Sequence, residues 1–571
     1  MLRSKKSAYA KWADWVVLLV ILVLLFSLIK LAYYSPPAKV KSTPISLGLR
    51  YIPYYAWKSV FRMIMAYVLS IAFSIFYGYA AARSKLNEKI MLPILDILQS
   101  TPILSFLPVF VFGLTAIMPQ NIALEIAAIL LIFTSQAWNM TFAWYQSLTT
   151  IPKELREASN IFMLNSWMRF KKLELPFGFV SLLWNSIMSW AAGWFYLIAA
   201  EILTVGNKNF EMVGLGSYME EATNQGNVKA LIIGIVTLII IIVLLDQFIW
   251  RPLLSWGKKF NLEMVSGGAE TETSSWFYPV LRQSKIILWF EAVALKPITA
   301  TLDKFFNKKL SKKKVVIVSE DAPANKKVLI GIAIVLGLAL LFGTQRMFAF
   351  MSNITAAQYW YILEAAFATT LRVFAALAIS LLWTIPVGVL IGSNKRAALF
   401  LQPLVQVAAS IPATAFFPFL ILFFIKLPFG VNIAAIVLMI LGTQWYLLFN
   451  VIAGVATIPQ DLRYTASLMR LKKWNYWKTL ILPALFPFII TGSITASGGA
   501  WNASILAEYV TTHDKTYSTI GLGSIVADAN ATSNYPMLFA ATFVMIVFVT
   551  CINRFGWRRL YALAKEKYKM E

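Results

Sequence analysis

The stretch Glu157 to Pro176 reads EASNIFMLNSWMRFKKLELP, and the stretch Tyr464 to Pro483 reads YTASLMRLKKWNYWKTLILP. One falls on the other at an offset of 307 positions, and the correspondence runs on in both directions. Ile151-Pro152 meets Ile458-Pro459, Trp194 meets Trp501 and Glu201 meets Glu508, while Gly214-Leu215-Gly216-Ser217 meets Gly521-Leu522-Gly523-Ser524. A basic, polar segment that recurs at one offset inside a very apolar chain marks two loops with one job on one side of a membrane. Each loop opens after Ile-Pro, since proline suits a first helical turn, and each closes at Leu-Pro, where proline stops a helix before the next span. The pattern therefore predicts a helical segment of about twenty residues in each loop. Early small and hydroxyl residues (Ala158-Ser159; Thr465-Ala466) and later basic pairs (Lys171-Lys172; Lys472-Lys473) suit a short helix offered to a groove on another protein; an ordinary amphipathic loop is the alternative for one copy alone.

Around these loops the composition is that of a membrane protein. Of 571 residues, 59% are hydrophobic and 13% charged, against roughly 25% charged in soluble domains. Apolar runs of about 20 residues, enough to cross a bilayer as helices, recur along the chain, and the short alternating segments of a β-barrel do not. The net charge of +25 sits mostly in loops between these runs, which is the distribution of a positive-inside topology rather than of a nucleic-acid binder. One cysteine, Cys551, and one histidine, His513, exclude a disulfide framework and any Cys/His metal cluster. No Gly-x-x-x-x-Gly-Lys-Ser/Thr loop is present, so this chain has no phosphate cradle of that kind.

The run from Trp15 to Tyr34 follows Arg3, Lys5, Lys6 and Lys11 and reads as a retained first span. Further spans are expected near 57–82, 91–117, 122–146, 178–202 and 229–250, and a second set near 328–350, 359–392, 400–425, 431–452, 484–508 and 535–556. Both termini and all the basic loops then fall on the cytoplasmic side. The expected fold class is an all-α membrane protein of about twelve transmembrane helices in two parallel six-helix repeats, related by an axis along the membrane normal. The divisions read as 1–50 (first helix and outer loop), 51–257 (first repeat), 258–327 (cytoplasmic linker), 328–357 (extra helix) and 358–571 (second repeat and basic tail). The linker, with its run Lys308 to Lys314, is either an amphipathic surface element on anionic lipid or a disordered tether.

The repeated loops resemble the EAA loop of ABC importer permeases. Glu157 and Pro176 stand at the family spacing, with Ala158 and Ser159 after the glutamate; Tyr464, Thr465 and Ala466 take those places in the second copy. Met163 and Arg470 replace the family glycine, and Leu173 and Leu480 the isoleucine. The segments Ala192-Gly193-Trp194 with Glu201, Gly499-Ala500-Trp501 with Glu508, and the two Gly-Leu-Gly-Ser runs are similar to the nitrate, sulfonate, taurine and bicarbonate permease group. The chain thus resembles a fused, duplicated permease with a type I importer fold. The resemblance implies a transmembrane subunit, not itself an enzyme, in the inner membrane of a prokaryote. It implies two ATP-binding cassette subunits that carry ATP and Mg2+, an external binding protein that delivers a small solute such as an anion, and no cofactor or metal in this chain. Glu157, Ala158, Ser159, Met163, Leu175, Pro176, Tyr464, Thr465, Ala466, Arg470, Leu482 and Pro483 would grip the ATPases. The runner-up class is a twelve-span secondary transporter; it needs ionisable residues at mid-membrane, of which there are few, and has no need of duplicated loops.

Polar residues inside apolar spans are costly and face bundle interiors. On that ground the pathway candidates are Asp96 and Gln406, Ser100 and Ser410, Gln136 and Gln444, and Asn139, together with Trp138 and Trp445, which recur by the repeat as either packing aromatics or gates. Prolines break the third spans, and Ser100-Thr101-Pro102 and Ser410-Ile411-Pro412 are expected to offer either a helix end to an anion or a packing kink. A carboxylate repels an anion, so Glu201 and Glu508 are assigned a structural role on the Gly-Leu-Gly-Ser segments, where Gly214, Gly216, Gly521 and Gly523 are expected to allow a tight re-entrant turn. Trp194 and Trp501 belong to the same segment. An alternative role for Glu157 is to complement the dipole at a helix start.

Overall fold

A computed structural model describes residues 45–100, 117–202, 212–260, 277–284, 344–411, 426–456, 460–471, 473–512 and 515–567 without a break, and scattered residues between them. Most of the expected first span (15–34), most of the linker 258–327 and most of span 328–350 lie outside the described residues, as do His513 and Lys472.

The first repeat runs through α1 (Ile52–Ala82), α2 (Lys85–Ser100), α3 (Gln120–Thr149), α4 (Lys153–Ile161), α5 (Leu175–Glu201), the strands β1 (Thr204–Val205) and β2 (Lys208–Asn209), α6 (Leu215–Asn224) and α7 (Val228–Leu245). The second copies it element for element: α8 (Ala356–Ser393), α9 (Lys395–Ser410), α10 (Gly430–Ala456), α11 (Gln460–Leu468), α12 (Leu482–Ala507), β3 (Tyr509–Thr512), β4 (Lys515–Ser518), α13 (Leu522–Ala531) and α14 (Tyr535–Cys551). A final helix, α15, covers Arg558–Lys567. The fold is a helical membrane fold with one departure from the all-α expectation. Two antiparallel hairpins follow α5 and α12, with Val205 opposite Lys208 and Thr512 opposite Lys515. Among the described residues, seven helical stretches are long and apolar enough to cross a membrane.

In each repeat the middle helix is sandwiched: α3 lies along α1 and α5, and α10 along α8 and α12. Small hydroxyl residues stitch these contacts. Ser74 Oγ donates to the Ala137 carbonyl at 3.1 Å, and Thr141 Oγ1 donates to Ser74 Oγ at 3.0 Å; such interhelical bonds in apolar surroundings contribute about 0.6 kcal/mol each. Trp144, Trp194 and Trp501 are wholly buried. The two repeats meet by equivalent contacts, α2 on α14 and α9 on α7, with α9 also against α5. That reciprocity is what a two-fold relation between like units requires. Phe26, ahead of the first repeat, sits edge-on to Phe350 and Phe539 at 5.7 and 5.6 Å, so the N-terminal segment packs on the second half.

Each repeated loop departs from a single twenty-residue helix. A nine-residue helix (α4 or α11) ends in a reversal at Met163 (φ 48°) or Arg470 (φ 52°). A short turn of helix follows (Ser166–Arg169; Lys473–Tyr476), then a π-helical turn (Phe170–Glu174; Trp477–Ile481) that runs straight into α5 or α12. Leu175-Pro176 and Leu482-Pro483 therefore start the long helices instead of ending the loop. A proline in the first turn gives up only an N–H that has little to bond, and the wider π turn takes up the register.

Candidate functional site

Three constellations stand out, each built from both repeats. The first is a cavity of about 80 Å3 between the halves. The first repeat supplies Gln99 of α2, Thr134, Ser135, Trp138 and Asn139 of α3, and Tyr196 of α5. The second supplies Tyr446 of α10, Ile494, Thr495, Ser497, Gly498, Gly499 and Asn502 of α12, Val549 of α14, and Ile552, Asn553 and Trp557 of the π turn after it. Every polar side chain among the described lining residues is neutral. Gln99 Nε2 donates to Asn139 Oδ1 at 3.3 Å. The indole N–H groups of Trp138 and Trp557 are buried and have no hydrogen-bond partner among the described residues.

Of the expected pathway residues, Trp138 and Asn139 line this cavity. Gln136 is buried and accepts from Ser70 Oγ at 3.4 Å, and Gln444 is buried in α10; neither is among the lining residues. Trp445 packs edge-on against Trp383 at 6.2 Å instead of facing the cavity. Asp96 and Ser100 fall on α2 and Gln406 and Ser410 on α9, with their side chains outside the described set, and Thr101, Pro102 and Pro412 lie outside the described residues. The helices do not break at their first prolines. Pro93 sits inside α2, and α9 runs through Pro403 to Ser410. Tyr196, Tyr446, Thr495, Asn502, Asn553 and Trp557 were not singled out by the sequence; the counterparts of all but Tyr446 in the other repeat do not line the cavity, while that of Tyr446 is Asn139, which does.

The second constellation is a pair of buried clamps at the hairpin end of α5 and α12. Arg62 donates to Glu201 Oε1 at 2.7 Å and to both oxygens of Glu125 at 2.6 and 2.8 Å. Ser59 Oγ also donates to Glu201 Oε1, at 2.6 Å. The other oxygen, Oε2, accepts the Gly216 N–H at 2.7 Å. Leu215 N–H donates to Ser59 Oγ at 2.9 Å, so the start of α6 is tied down twice. In the second repeat Thr369, Arg372, Glu508 and Gly523 make the same bonds, with Arg372 to Glu508 at 2.6 Å and Gly523 N–H to Glu508 at 2.9 Å, but Asn432 takes the place of Glu125. A carboxylate at a helix N-terminus is favourable there. The Gly-Leu-Gly-Ser segments thus start α6 and α13 rather than form a bare re-entrant turn. Gly214 and Gly521 are extended, and a Cβ at either would overlap the carboxylate of Glu201 or Glu508. Trp194 and Trp501 pack nearby with no exposure to speak of.

The third is the pair of repeated loops at the opposite end of the same helices. In the first, Ile161, Phe162 and Met163 are 76%, 75% and 84% exposed, and the equivalent Leu468 and Met469 are both 67% exposed. Both loops thus present large apolar side chains at the tip of an otherwise polar segment. Glu157 is exposed midway along α4, whereas Glu154 occupies its first turn, so Glu157 does not serve the helix start. Ala158 is half-buried and Thr465 exposed; Tyr464 is 67% exposed. Ser159 and Ala466 face inward, with Ser159 Oγ donating to the Arg156 carbonyl at 2.7 Å. Each short helix is tethered to the preceding long one by an arginine that the sequence did not flag: Arg156 donates to the Leu148 carbonyl at 2.7 Å and Arg463 to the Val455 carbonyl at 2.5 Å. The first loop has an added contact with the linker. Asp303 accepts from Trp167 Nε1 at 2.7 Å and from Lys171 Nζ at 2.6 Å. Those two donors, with Lys172, hold the Asp303 carboxyl below its ordinary range.

Fold and site together define a duplicated, membrane-spanning helical protein whose halves line a shared cavity and present two matching loops. The chain matches the family described as "Binding-protein-dependent transport system inner membrane component" over residues 70–249 and again over 384–556, and it belongs to that family. It is 34% identical over 163 residues to the bicarbonate transport system permease protein CmpB of Synechococcus elongatus, covering 28% of this chain and 55% of the relative. To the nitrate import permease protein NrtB of Leptolyngbya laminosa it is 32% identical over 165 residues, 28% of this chain and 55% of the relative. To the putative aliphatic sulfonates transport permease protein SsuC of Bacillus subtilis it is 28% identical over 185 residues, 31% and 63% of the two chains. The matches thus span a little over half the length of these relatives.

Proposed function

We propose that this chain is the transmembrane subunit of an ATP-driven importer, in which both repeats of one polypeptide form the translocation path for a small solute, an anion on the evidence of its relatives. An external binding protein delivers the solute to the hairpin face. Two ATP-binding cassette subunits, which carry ATP and Mg2+, seat the tips of the repeated loops, and their closure rocks the halves around the central cavity. The chain lies in the inner membrane of a prokaryote with both termini and the linker in the cytoplasm, as the basic loops favour. The observation that carries the reading is the loop geometry. A short helix, an exposed apolar tip and a left-handed reversal recur 307 positions apart in a chain that holds two copies of this family's domain. Among the described residues there is no group of three His, Cys, Asp or Glu side chains placed to hold a metal.

Extraction of the chain from its native membrane in mild detergent tests this. The proposal expects an ATPase to co-purify, and expects Phe162→Ser combined with Met469→Ser to strip it while the spans keep their helicity. Ion-gradient-driven uptake by the chain alone in liposomes would overturn it.

A further inference from the structure

We propose that Trp474 and Lys478 on the second loop form a receptor for one carboxylate side chain of the ATPase subunit seated there, while the equivalent receptor on the first loop, Trp167 and Lys171, is filled from within by Asp303 of the linker. This rests on the importer reading and adds to it that the two seats are unequal.

The first loop shows what the receptor takes. Trp167 and Lys171 are four positions apart, which makes them neighbours on one helix face. The indole N–H and the ammonium can donate but not accept. Each takes a different oxygen of one carboxylate: Trp167 Nε1 donates to Asp303 Oδ1 at 2.7 Å and Lys171 Nζ to Oδ2 at 2.6 Å. The lysine bond is charge-assisted, the stronger kind. Both donors hold the Asp303 carboxyl below its ordinary range, so the site selects the ionised form.

The second loop repeats the donors without the acceptor. Trp474 and Lys478 stand 307 positions on from Trp167 and Lys171. They lie on the same pair of elements, a short turn of helix (Lys473–Tyr476) and the π-helical turn after it (Trp477–Ile481). Trp474 is 66% exposed and Lys478 is exposed. One linker joins the two repeats, so one of two like receptors is supplied by the chain and the other is open to a partner.

A lipid phosphate also suits a lysine. Two observations favour a protein carboxylate. The occupant of the equivalent receptor is a carboxylate, gripped through both oxygens. In addition, α11, whose end carries the exposed Leu468 and Met469, packs on the π turn that holds Lys478. A subunit seated on that tip borders the receptor.

The test is made on the full-length chain in inverted native membranes with its partners bound. A water-soluble carbodiimide joins a lysine amine to a carboxylate already within ion-pair reach, and the linked peptides are identified by mass spectrometry. The proposal expects Lys171 joined to Asp303 within the chain, and Lys478 joined to an Asp or Glu of an ATP-binding cassette subunit. Asp303→Asn should remove the first link and leave the second. Lys478→Gln should remove the second, leave the first and weaken ATPase retention in detergent about fivefold, the effect of one exposed ion pair. Trp474→Phe should lower the yield of the second link. Loss of the Lys171–Asp303 link in the unaltered chain would overturn the proposal. So would a Lys478 that joins nothing, as a lipid-facing lysine would, or that joins this chain or another protein. Undiminished ATPase retention in Lys478→Gln would overturn it as well. Failure of the importer reading shows separately, as an unaltered chain that retains no ATPase.

Discussion

Arg62 and Glu201 meet at 2.7 Å with their side chains 1% and 0% exposed, 139 residues apart in sequence, and the pair closes the end of α1 over the start of α6. Its twin, Arg372 with Glu508 at 2.6 Å, does the same in the second repeat. The twins differ in one partner. Arg62 has a second carboxylate, Glu125, whereas Arg372 has the amide oxygen of Asn432.

That difference predicts unequal responses to the same substitution. Glu201→Gln leaves Arg62 with Glu125. Glu508→Gln leaves a buried guanidinium with no other anion among the described residues, and removing one member of a buried pair costs about 3–5 kcal/mol. Thermal unfolding of the purified chain should therefore fall further for Glu508→Gln than for Glu201→Gln. Glu125→Asn, which copies the second repeat, should lower the midpoint by less than either, since Glu125 is partly exposed and exposed pairs contribute about 1 kcal/mol or less.

The reversals at Met163 and Arg470 predict a selective tolerance. A left-handed conformation costs an L-residue about 1–2 kcal/mol and glycine little. Met163→Gly should keep or modestly raise the thermal midpoint of the purified chain. Met163→Val, whose branched Cβ suits that region worst, should lower co-purification without altering the helicity of the spans.

The tethers Arg156 and Arg463 predict a local effect. Arg156→Ala removes the bond to the Leu148 carbonyl and should speed amide hydrogen exchange in α4 while exchange in α3 and α5 stays as it was. Arg463→Ala should do the same in α11. Exchange that rises across the whole repeat would show that the arginines hold the bundle and not the loop.

Among the described residues, Asp303 ties the linker to the first loop, and Trp474, the counterpart of Trp167, is 66% exposed. Its carboxyl is held below the ordinary value near 3.9. A depressed value means that the contact is fully present above the unfolded-state pKa and is lost only as pH falls through the lower, folded one. Proteolysis of the linker in the purified chain should therefore be flat between about pH 5 and 8. Asp303→Asn should raise cleavage throughout that range, because the Lys171 pair is gone at every pH.

How much of this was readable beforehand follows from what a repeat reveals. Spacing at 307 positions exposes any residue kept in both copies, and so Glu201, Glu508, the Gly-Leu-Gly-Ser segments and the two loops stood out. Arg62 and Arg372 are also kept, at an offset of 310. They hid inside apolar runs, where one arginine every span reads as noise until its carboxylate is seen across the bundle. Gln136, Gln444 and Trp445 were singled out for polarity or recurrence, yet helix faces decide what meets the cavity, and α10 turns Tyr446 there instead of its neighbours. Cavity residues such as Asn502 and Asn553 escaped for the opposite reason: they differ between the repeats, and the comparison rewards only likeness. The loops were expected as single helices because Ile-Pro and Leu-Pro look like a start and a stop. The second proline is in fact the start of the next helix, and the true stop is a left-handed residue that is not glycine.

The account turns on two loop tips that face the cytoplasm and meet a motor. Met163→Cys and Leu468→Cys, each made in a chain with Cys551→Ser, place one thiol on each tip, and a membrane-impermeant maleimide reads their side. We expect no labelling of either tip in intact cells, full labelling of both in inverted vesicles stripped of peripheral proteins, and protection of both when the ATPase subunits are restored. Labelling of either tip from outside intact cells would contradict the account.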